Sequence, residues 1–221
     1  GEDFEKASVL IDDGQTFAQS IRHGETKQLL LLKKEHIPIE KQWTFDAQTL
    51  PWDPHQLETN VGIPVSYKIK NTKEGGLGSS PLPEGKVRVF QDDGHNTTIF
   101  LGEDLSDLVP VGEEMKIRIG DSRDIVVTQR KMREELINVR RNTSNQTVLH
   151  DTDEIIKATV ENFKDQPALL RMIQHIPGQW DMEECNMRYR LADASTLEFE
   201  IPLSARGKAE LIMHYHRRNL R

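Results

Sequence analysis

One cysteine, Cys185, stands in 221 residues, so no internal disulfide can form, and neither a thiolate zinc cluster nor a dithiol redox pair can be built. Long apolar runs are missing too. The longest conspicuous one, Leu29–Leu32, falls far short of the roughly 20 residues a bilayer-crossing helix needs, which excludes insertion by a helix. Cations are outnumbered: 29 Lys and Arg face 36 Asp and Glu, a formal net charge of −7. Residues 1–130 hold the whole excess, with 15 Lys and Arg against 22 Asp and Glu, while residues 131–221 carry 14 of each. Neutralising phosphates takes a basic surface, so nucleic acid and anionic membranes are not expected partners; the pairs Arg140-Arg141 and Arg217-Arg218 are too short to change that. A charged-then-apolar leader is absent and the chain opens on Gly1, so it is expected to be a processed product or a piece of something longer.

Nucleotide-binding and hydrolase signatures are lacking as well. In "SSPLPEGKVRVFQDDG" the position five before Gly85 is Ser80, two prolines intervene, and Val87 follows Lys86 where a phosphate-cradling loop needs a hydroxyl. No Gly-x-Ser-x-Gly elbow occurs, and "GLGSSP" lacks the strand and helix that would expose a serine.

Period-two patterning is what the chain has. Ala7, Val9 and Ile11 precede an Asp-Asp-Gly turn; Trp43, Phe45 and Ala47 alternate with Gln42, Thr44 and Asp46; Val65, Tyr67 and Ile69 alternate with polar neighbours. Met115, Ile117 and Ile119 repeat the pattern, as do Ile156, Ala158 and Val160, and then Leu197, Phe199, Ile201 and Leu203. Val87 and Val89 alternate with Lys86 and Arg88 up to the turn Asp92-Asp93-Gly94, which puts Lys86 on a solvated strand face. Arg130 to Val139 can be written as a helix with Met132, Leu136 and Val139 on one stripe, but a charged strand of a long hairpin is the preferred reading, and the polar segment 140–153, "RRNTSNQTVLHDTD", reads as a mobile loop or hairpin tip. "VENFKDQPALLRM" reads as strand, turn, strand, an arrangement found in immunoglobulin-like sandwiches. The expected fold is all-β, two β-sandwich (immunoglobulin-like) domains in series: residues 1–130 first and 131–221 second, with residues 1–57 completing the first sandwich.

Each candidate for chemistry has a plainer reading. His214 and His216 share one strand face, opposite Leu211, Met213 and Tyr215, at a spacing that can clamp a metal ion, yet no third ligand is visible and none is assigned. Asp92, Asp93 and Asn96 have the composition of a calcium loop without its alternate-position spacing, which favours a hairpin turn. Glu103-Asp104 and the Asp121 to Asp124 stretch pair carboxylates but read as a solvated rim. Cys185 is flanked by Glu183 and Glu184, whose negative charge should raise its thiol pKa. Asn96, Asn142 and Asn145 open glycosylation-type triplets, which matter only in a host that uses them. Trp43, Trp52 and Trp180 can serve a sugar-stacking platform, although a lone Trp near a strand more often seals a core.

At "YKIKNTKEGGLGSSPLPEGKVRVFQDDGHNTTIFLGED" the chain resembles the bacterial domain-of-unknown-function family 4139, found at the C-terminal end of mucoidy-inhibitor-like proteins. The resemblance continues through "PVGEEMKIRIGDSRDIVVTQRK", "ATVENFKDQPALLRMIQHIPGQWDM" and "LEFEIPLSARGKAELIMHYH", with a weaker match at "GETKQLLLLKKEHIPIEKQWTFDA". It implies an all-β C-terminal module of a larger envelope or secreted protein, periplasmic or extracellular, and it implies no catalytic residues.

The expectation is therefore a non-enzymatic structural or protein-interaction module with no catalytic, cofactor-binding or metal-binding residues and no cofactor. Its partner would be another protein or its own N-terminal region, engaging exposed sheet edges. Two rivals stand beside it: a glycan-binding module built on Trp52 in the loop Pro51-Trp52-Asp53-Pro54, and an enzyme using Glu103-Asp104.

Overall fold

Side chains that alternate apolar and polar can be sorted into inside and outside only by an extended backbone, and the chain is built of strands accordingly. The computed structural model describes residues 32–49, 62–95 and 97–221, the single positions Gly24 and Leu30, and the backbone of two N-terminal strands. Among the described residues there is no helix, hence none long and apolar enough to cross a membrane. The strands are β1 (Phe4–Leu10), β2 (Thr16–Arg22), β3 (Glu40–Asp46), β4 (Ile63–Lys70), β5 (Gly85–Asp92), β6 (Thr98–Ser106) and β7 (Glu114–Ser122). They continue with β8 (Ile125–Arg141), β9 (Thr147–Asn162), β10 (Ala168–His175), β11 (Gln179–Cys185), β12 (Arg190–Leu191), β13 (Thr196–Leu203) and β14 (Lys208–Leu220).

The chain is all-β, as its periodicity requires, but its two compact units do not divide near residue 130. Unit 1 comprises residues 1–40 and 68–117, unit 2 residues 41–67 and 118–221. The physical reason lies in two strands. β8 runs unbroken through residue 130, with Ile125, Val127 and Gln129 all buried. β3 pairs in parallel with β10, setting Trp43 beside Leu170 and Phe45 beside Met172, so residues 41–46 serve the second unit and not a first sandwich.

Unit 2 is where the sandwich is developed. One sheet runs in the order β12-β13-β10-β3-β4-β7, the other β11-β14-β9-β8, and a single apolar cluster draws on both. Phe45, Ile63, Leu170, Met172, Phe199 and Ile201 come from the first sheet; Val127, Ile156, Ala158, Val160, Leu211 and Met213 come from the second. Each such Leu, Ile, Phe or Met, removed from water, stabilises the fold by about 1.5–3 kcal/mol. On the outer side of β13, Glu198 is held by Arg171 at 2.6 Å and Arg190 at 2.5 Å. Burial works against ionisation of this carboxyl, yet the hydrogen bonds and charge of the two arginines outweigh it, and its pKa lies below the ordinary glutamate value.

Loops are tied by buried amides. In unit 2, Asn162 Nδ2 donates to the carbonyls of Gln166 and Ser204, both at 2.9 Å, while its Oδ1 accepts from Lys164 N. The turn it braces holds Gly207, where a Cβ would crowd Ser204 Oγ and stand 3.0 Å from the Ser204 carbonyl oxygen. Unit 1 uses Asn71 in the same way. Its Nδ2 lies 3.1 Å from the carbonyl oxygens of Ser80, Val109 and Pro110, and its Oδ1 accepts from Gly78 N at 2.9 Å. Gly78 sits at φ +82°, where a Cβ would press within 2.6 Å of Thr72 and Lys73 backbone atoms. The described strands of unit 1 include the hairpins β1–β2 and β5–β6.

Segment 140–153 is a hairpin tip, but little of it is loop. Strand pairing continues to Arg141 and resumes at Thr147, leaving a turn in which Asn142 Oδ1 accepts from Ser144 N and Gln146 N. Farther down the hairpin, Asp151 accepts from Asn219 N at 2.8 Å and from Asn138 Nδ2 at 2.9 Å. Both asparagines have positive φ, 56° and 53°, and mark irregularities in β14 and β8.

Replacing Asn71 with Ala leaves the buried Gly78 N–H without its acceptor and removes the amide that joins the Ser80, Val109 and Pro110 carbonyls, and is expected to cost about 1–3 kcal/mol. Amide protons of Leu82 and Val109, which exchange 2.9 Å hydrogen bonds with each other's carbonyls, should lose protection in hydrogen exchange; unchanged protection would refute the tie. For Glu198 the folded-state pKa is depressed, so its stabilisation is complete above the unfolded value of about 4.3 and is lost as pH falls through the lower folded value. Glu198→Gln should therefore lower stability by about 1–3 kcal/mol at pH 7. In denaturant titrations that gap should close on acidification below about pH 4.

Candidate functional site

The site follows from the pairing of β9 with β14. Along β14, Leu211, Met213 and Tyr215 enter the core, which sends His214 and His216 to the opposite face. The register sets Tyr215 opposite Glu154 and His216 opposite Asp153. Neighbouring carboxylates on β9 therefore face different environments.

Glu154 points inward and is among the most buried side chains of the protein. Its Oε1 accepts from Thr152 Oγ1 at 2.7 Å and lies 3.4 Å from Arg217; Oε2 accepts from Tyr215 OH at 3.1 Å and meets Lys131 at 3.3 Å. Burial opposes its charge, and these donors and cations more than compensate, so its pKa falls below the ordinary value. Burial, reinforced by the facing carboxylate, drives the Tyr215 hydroxyl the other way, far above its usual range. A cavity of about 200 Å³ opens beside this network, lined also by Gln129 and Gln174, whose amides bond reciprocally, and by His175. His175 is itself fixed, Nε2 at 3.0 Å from Asp46 Oδ1 and Nδ1 at 3.2 Å from Thr196 Oγ1. The side chains of Gln129, Gln174, His175, Glu154 and Tyr215 around this cavity each have a hydrogen-bond partner.

Outside, three ligand-type groups converge. Asp153 Oδ1 lies 2.6 Å from His214 Nε2 and 2.5 Å from His216 Nε2, and the imidazoles meet edge to face with ring centres 5.6 Å apart. Arg133 Nε holds the other oxygen, Oδ2, at 3.0 Å and is itself bound to Glu135 at 2.6 Å. On the far side of His216, Nδ1 faces Glu183 Oε1 at 3.3 Å; the register shift between Met182 and Glu184 in β11 falls at this residue. The His214 hydrogen bond is the main reason the Asp153 carboxyl sits below its ordinary pKa; burial opposes it, and the charges of His214, Arg133 and His216 assist. Among the described residues this is the grouping of His, Cys, Asp and Glu whose ligand atoms, all within 4.8 Å of one another, can hold a metal ion.

Asp153 is the ligand that sequence reasoning did not supply. It lies 61 residues before His214, and only the β9–β14 register joins them. A signal was present: running the Ile156, Ala158, Val160 period backwards places Glu154 inside and Asp153 outside.

The other candidates are drawn into local structure. Asp92 Oδ1 accepts from Gly94 N, and Asp93 accepts from His95 N, Thr97 N and Thr97 Oγ1, so both carboxylates shape the hairpin turn; Asn96 lies outside the described residues. Glu103 bridges Lys86 at 2.9 Å and Arg88 at 3.1 Å, Asp104 accepts from Leu105 N, and Asp121 pairs with Arg118. Asp124 takes Lys164 at 3.6 Å. Asn142 and Asn145 belong to the β8–β9 turn. Trp43 is a core residue, Trp180 donates to the Ala194 carbonyl, and Trp52 lies outside the described residues. The Cys185 thiol is pushed up in pKa as expected, but by burial and not by the flanking glutamates.

Comparison with protein-family models, with curated proteins and with solved structures finds no match for this chain. Fold and site thus define an all-β chain whose second unit carries a histidine–aspartate cluster on the outer face of a sheet.

With its thiolate disfavoured by burial, Cys185 should alkylate with iodoacetamide at pH 8 at least several-fold more slowly than a free model thiol. Mass spectrometry follows the rate, and a faster reaction than the model thiol would contradict the assignment.

Proposed function

We propose that the chain is a non-enzymatic protein-interaction module of a larger bacterial envelope protein, working in the periplasm or outside the cell, and that the β5–β6 hairpin is its contact surface. The envelope setting rests on the family resemblance of the sequence, and an immunoglobulin-like connectivity for the sandwich rests on the strand-turn-strand pattern of "VENFKDQPALLRM". One observation carries the interaction reading: Phe90 and Phe100 pack on each other with ring centres 5.4 Å apart, yet are 56% and 52% exposed. Leu105 adds a third exposed apolar group, and between them Lys86, Glu103 and Arg88 form a paired polar strip. Aromatic anchors beside an arginine, with charges already matched at the rim, are the anatomy of a protein-binding surface.

Glycan binding finds less support. The Phe90 and Phe100 rings are tilted 57° from each other, which does not make a flat platform for a sugar ring, and the tryptophans Trp43 and Trp180 are engaged elsewhere. An enzyme at Glu103-Asp104 finds less still, because Glu103 is bound to two cations and its neighbour points to the other face of the strand.

In-cell photocrosslinking from position 100 of the parent protein, with exposed position 188 as reference, tests the proposal. Discrete protein adducts are expected from position 100 and should vanish when Phe90→Ser is added. Because both rings are exposed, the pair Phe90→Ser and Phe100→Ser should change folding stability by no more than about 1 kcal/mol. Polysaccharide adducts, or none beyond those seen from position 188, would contradict the reading.

A further inference from the structure

The imidazole of His216 stands between two carboxylates, with Nδ1 toward Glu183 Oε1 at 3.3 Å and Nε2 toward Asp153 Oδ1 at 2.5 Å. In the metal-free chain a proton answers so short a contact; a ligating imidazole offers a nitrogen lone pair instead, so an ion bound here displaces that proton and takes the same atoms as ligands. A carboxylate on the remote nitrogen is also the usual device that orients a histidine toward a metal ion and raises its basicity. His214 Nε2 reaches the same Asp153 oxygen, so three donor atoms surround one point.

We propose that Asp153, His214 and His216 bind one divalent transition-metal ion of the zinc class through Asp153 Oδ1 and the two Nε2 atoms, leaving a further position open to water or to a ligand from a partner. Two imidazoles and one carboxylate suit such ions, and three protein ligands with an open position is a familiar zinc arrangement. Bonds near 2.0–2.1 Å to a tetrahedral ion separate the ligand atoms by about 3.3 Å, so the present contacts need to open by less than about 1 Å. Side-chain rotation supplies that, since β9 and β14 are inner strands of their sheet and hold the ligand backbones in place. Arg133 contacts Oδ2 and leaves Oδ1 to the ion, with its charge matched by Glu135. The histidines are 27% and 35% exposed, which gives an ion a path from solvent.

The test uses the tag-free full chain, stripped with EDTA and titrated with zinc chloride against a chromophoric chelator. One equivalent should bind. His214→Ala, His216→Ala and Asp153→Asn should each weaken binding by more than about 10-fold, and Glu183→Gln by about 10-fold through lost orientation of His216. His95→Ala, in the β5–β6 turn, should leave it unchanged. Circular dichroism confirms folding; if Asp153→Asn fails it, the two surface histidine variants carry the comparison. In imidazole nitrogen spectra, zinc should shift the Nε2 resonances of His214 and His216. Absence of stoichiometric binding, equal binding by the histidine variants, or zinc shifts confined to other histidines would overturn the proposal.

Discussion

The register of β9 against β14 is the constraint on which the second unit depends. Because side chains alternate across a strand, setting Tyr215 opposite Glu154 and His216 opposite Asp153 sorts every residue of both strands at once. One face supplies Ile156, Ala158, Val160, Leu211 and Met213 to the core, and the other receives Asp153, His214 and His216. A slip of β14 by one position would turn Leu211 and Met213 to water and bury imidazoles, at about 1.5–3 kcal/mol for each large apolar group. Asp151, tied to Asn138 on one neighbour and Asn219 on the other, locks the same alignment from the hairpin end.

Polar burial does two different jobs within this frame. Glu154 brings a charge into the sandwich and is met by two cations and two hydroxyls, so removing one partner would expose the cost of an uncompensated ion. Asn71 and Asn162 are neutral, and each buried amide joins carbonyls from separate loop segments. Both amides close turns that hold a tightly packed glycine, Gly78 and Gly207, and at Gly78 backbone atoms leave no room for a Cβ. Loop geometry in each unit thus rests on a side-chain amide and a tightly packed glycine acting together.

How much of this was legible depends on the range of the interaction. Strands with one buried face announce themselves locally, and Leu197 to Leu203 or Ile156 to Val160 occupy the faces their period demands. The Arg130 to Val139 segment, charged but extended, proved to be strand because pairing with β9 continues well beyond the core. Long-range partners leave no such mark. The parallel β3–β10 pair draws residues 41–46 into the second unit across more than a hundred residues of sequence, which a boundary near residue 130 set by strand periodicity does not detect. The convergence of Asp153 on the histidines was hidden for the same reason: ligand spacing on one strand is a local pattern, while the third ligand is chosen by register. For Cys185 the direction of the shift was readable and its cause was not, because burial of a strand end is a tertiary property.

Cross-strand nuclear Overhauser contacts between β9 and β14 read this alignment directly. Contacts joining Tyr215 to Glu154 and His216 to Asp153 are expected, with Leu211 facing Ala158 farther along. A ladder displaced by one residue, pairing Tyr215 with Asp153 and turning the histidines toward the core, would contradict it.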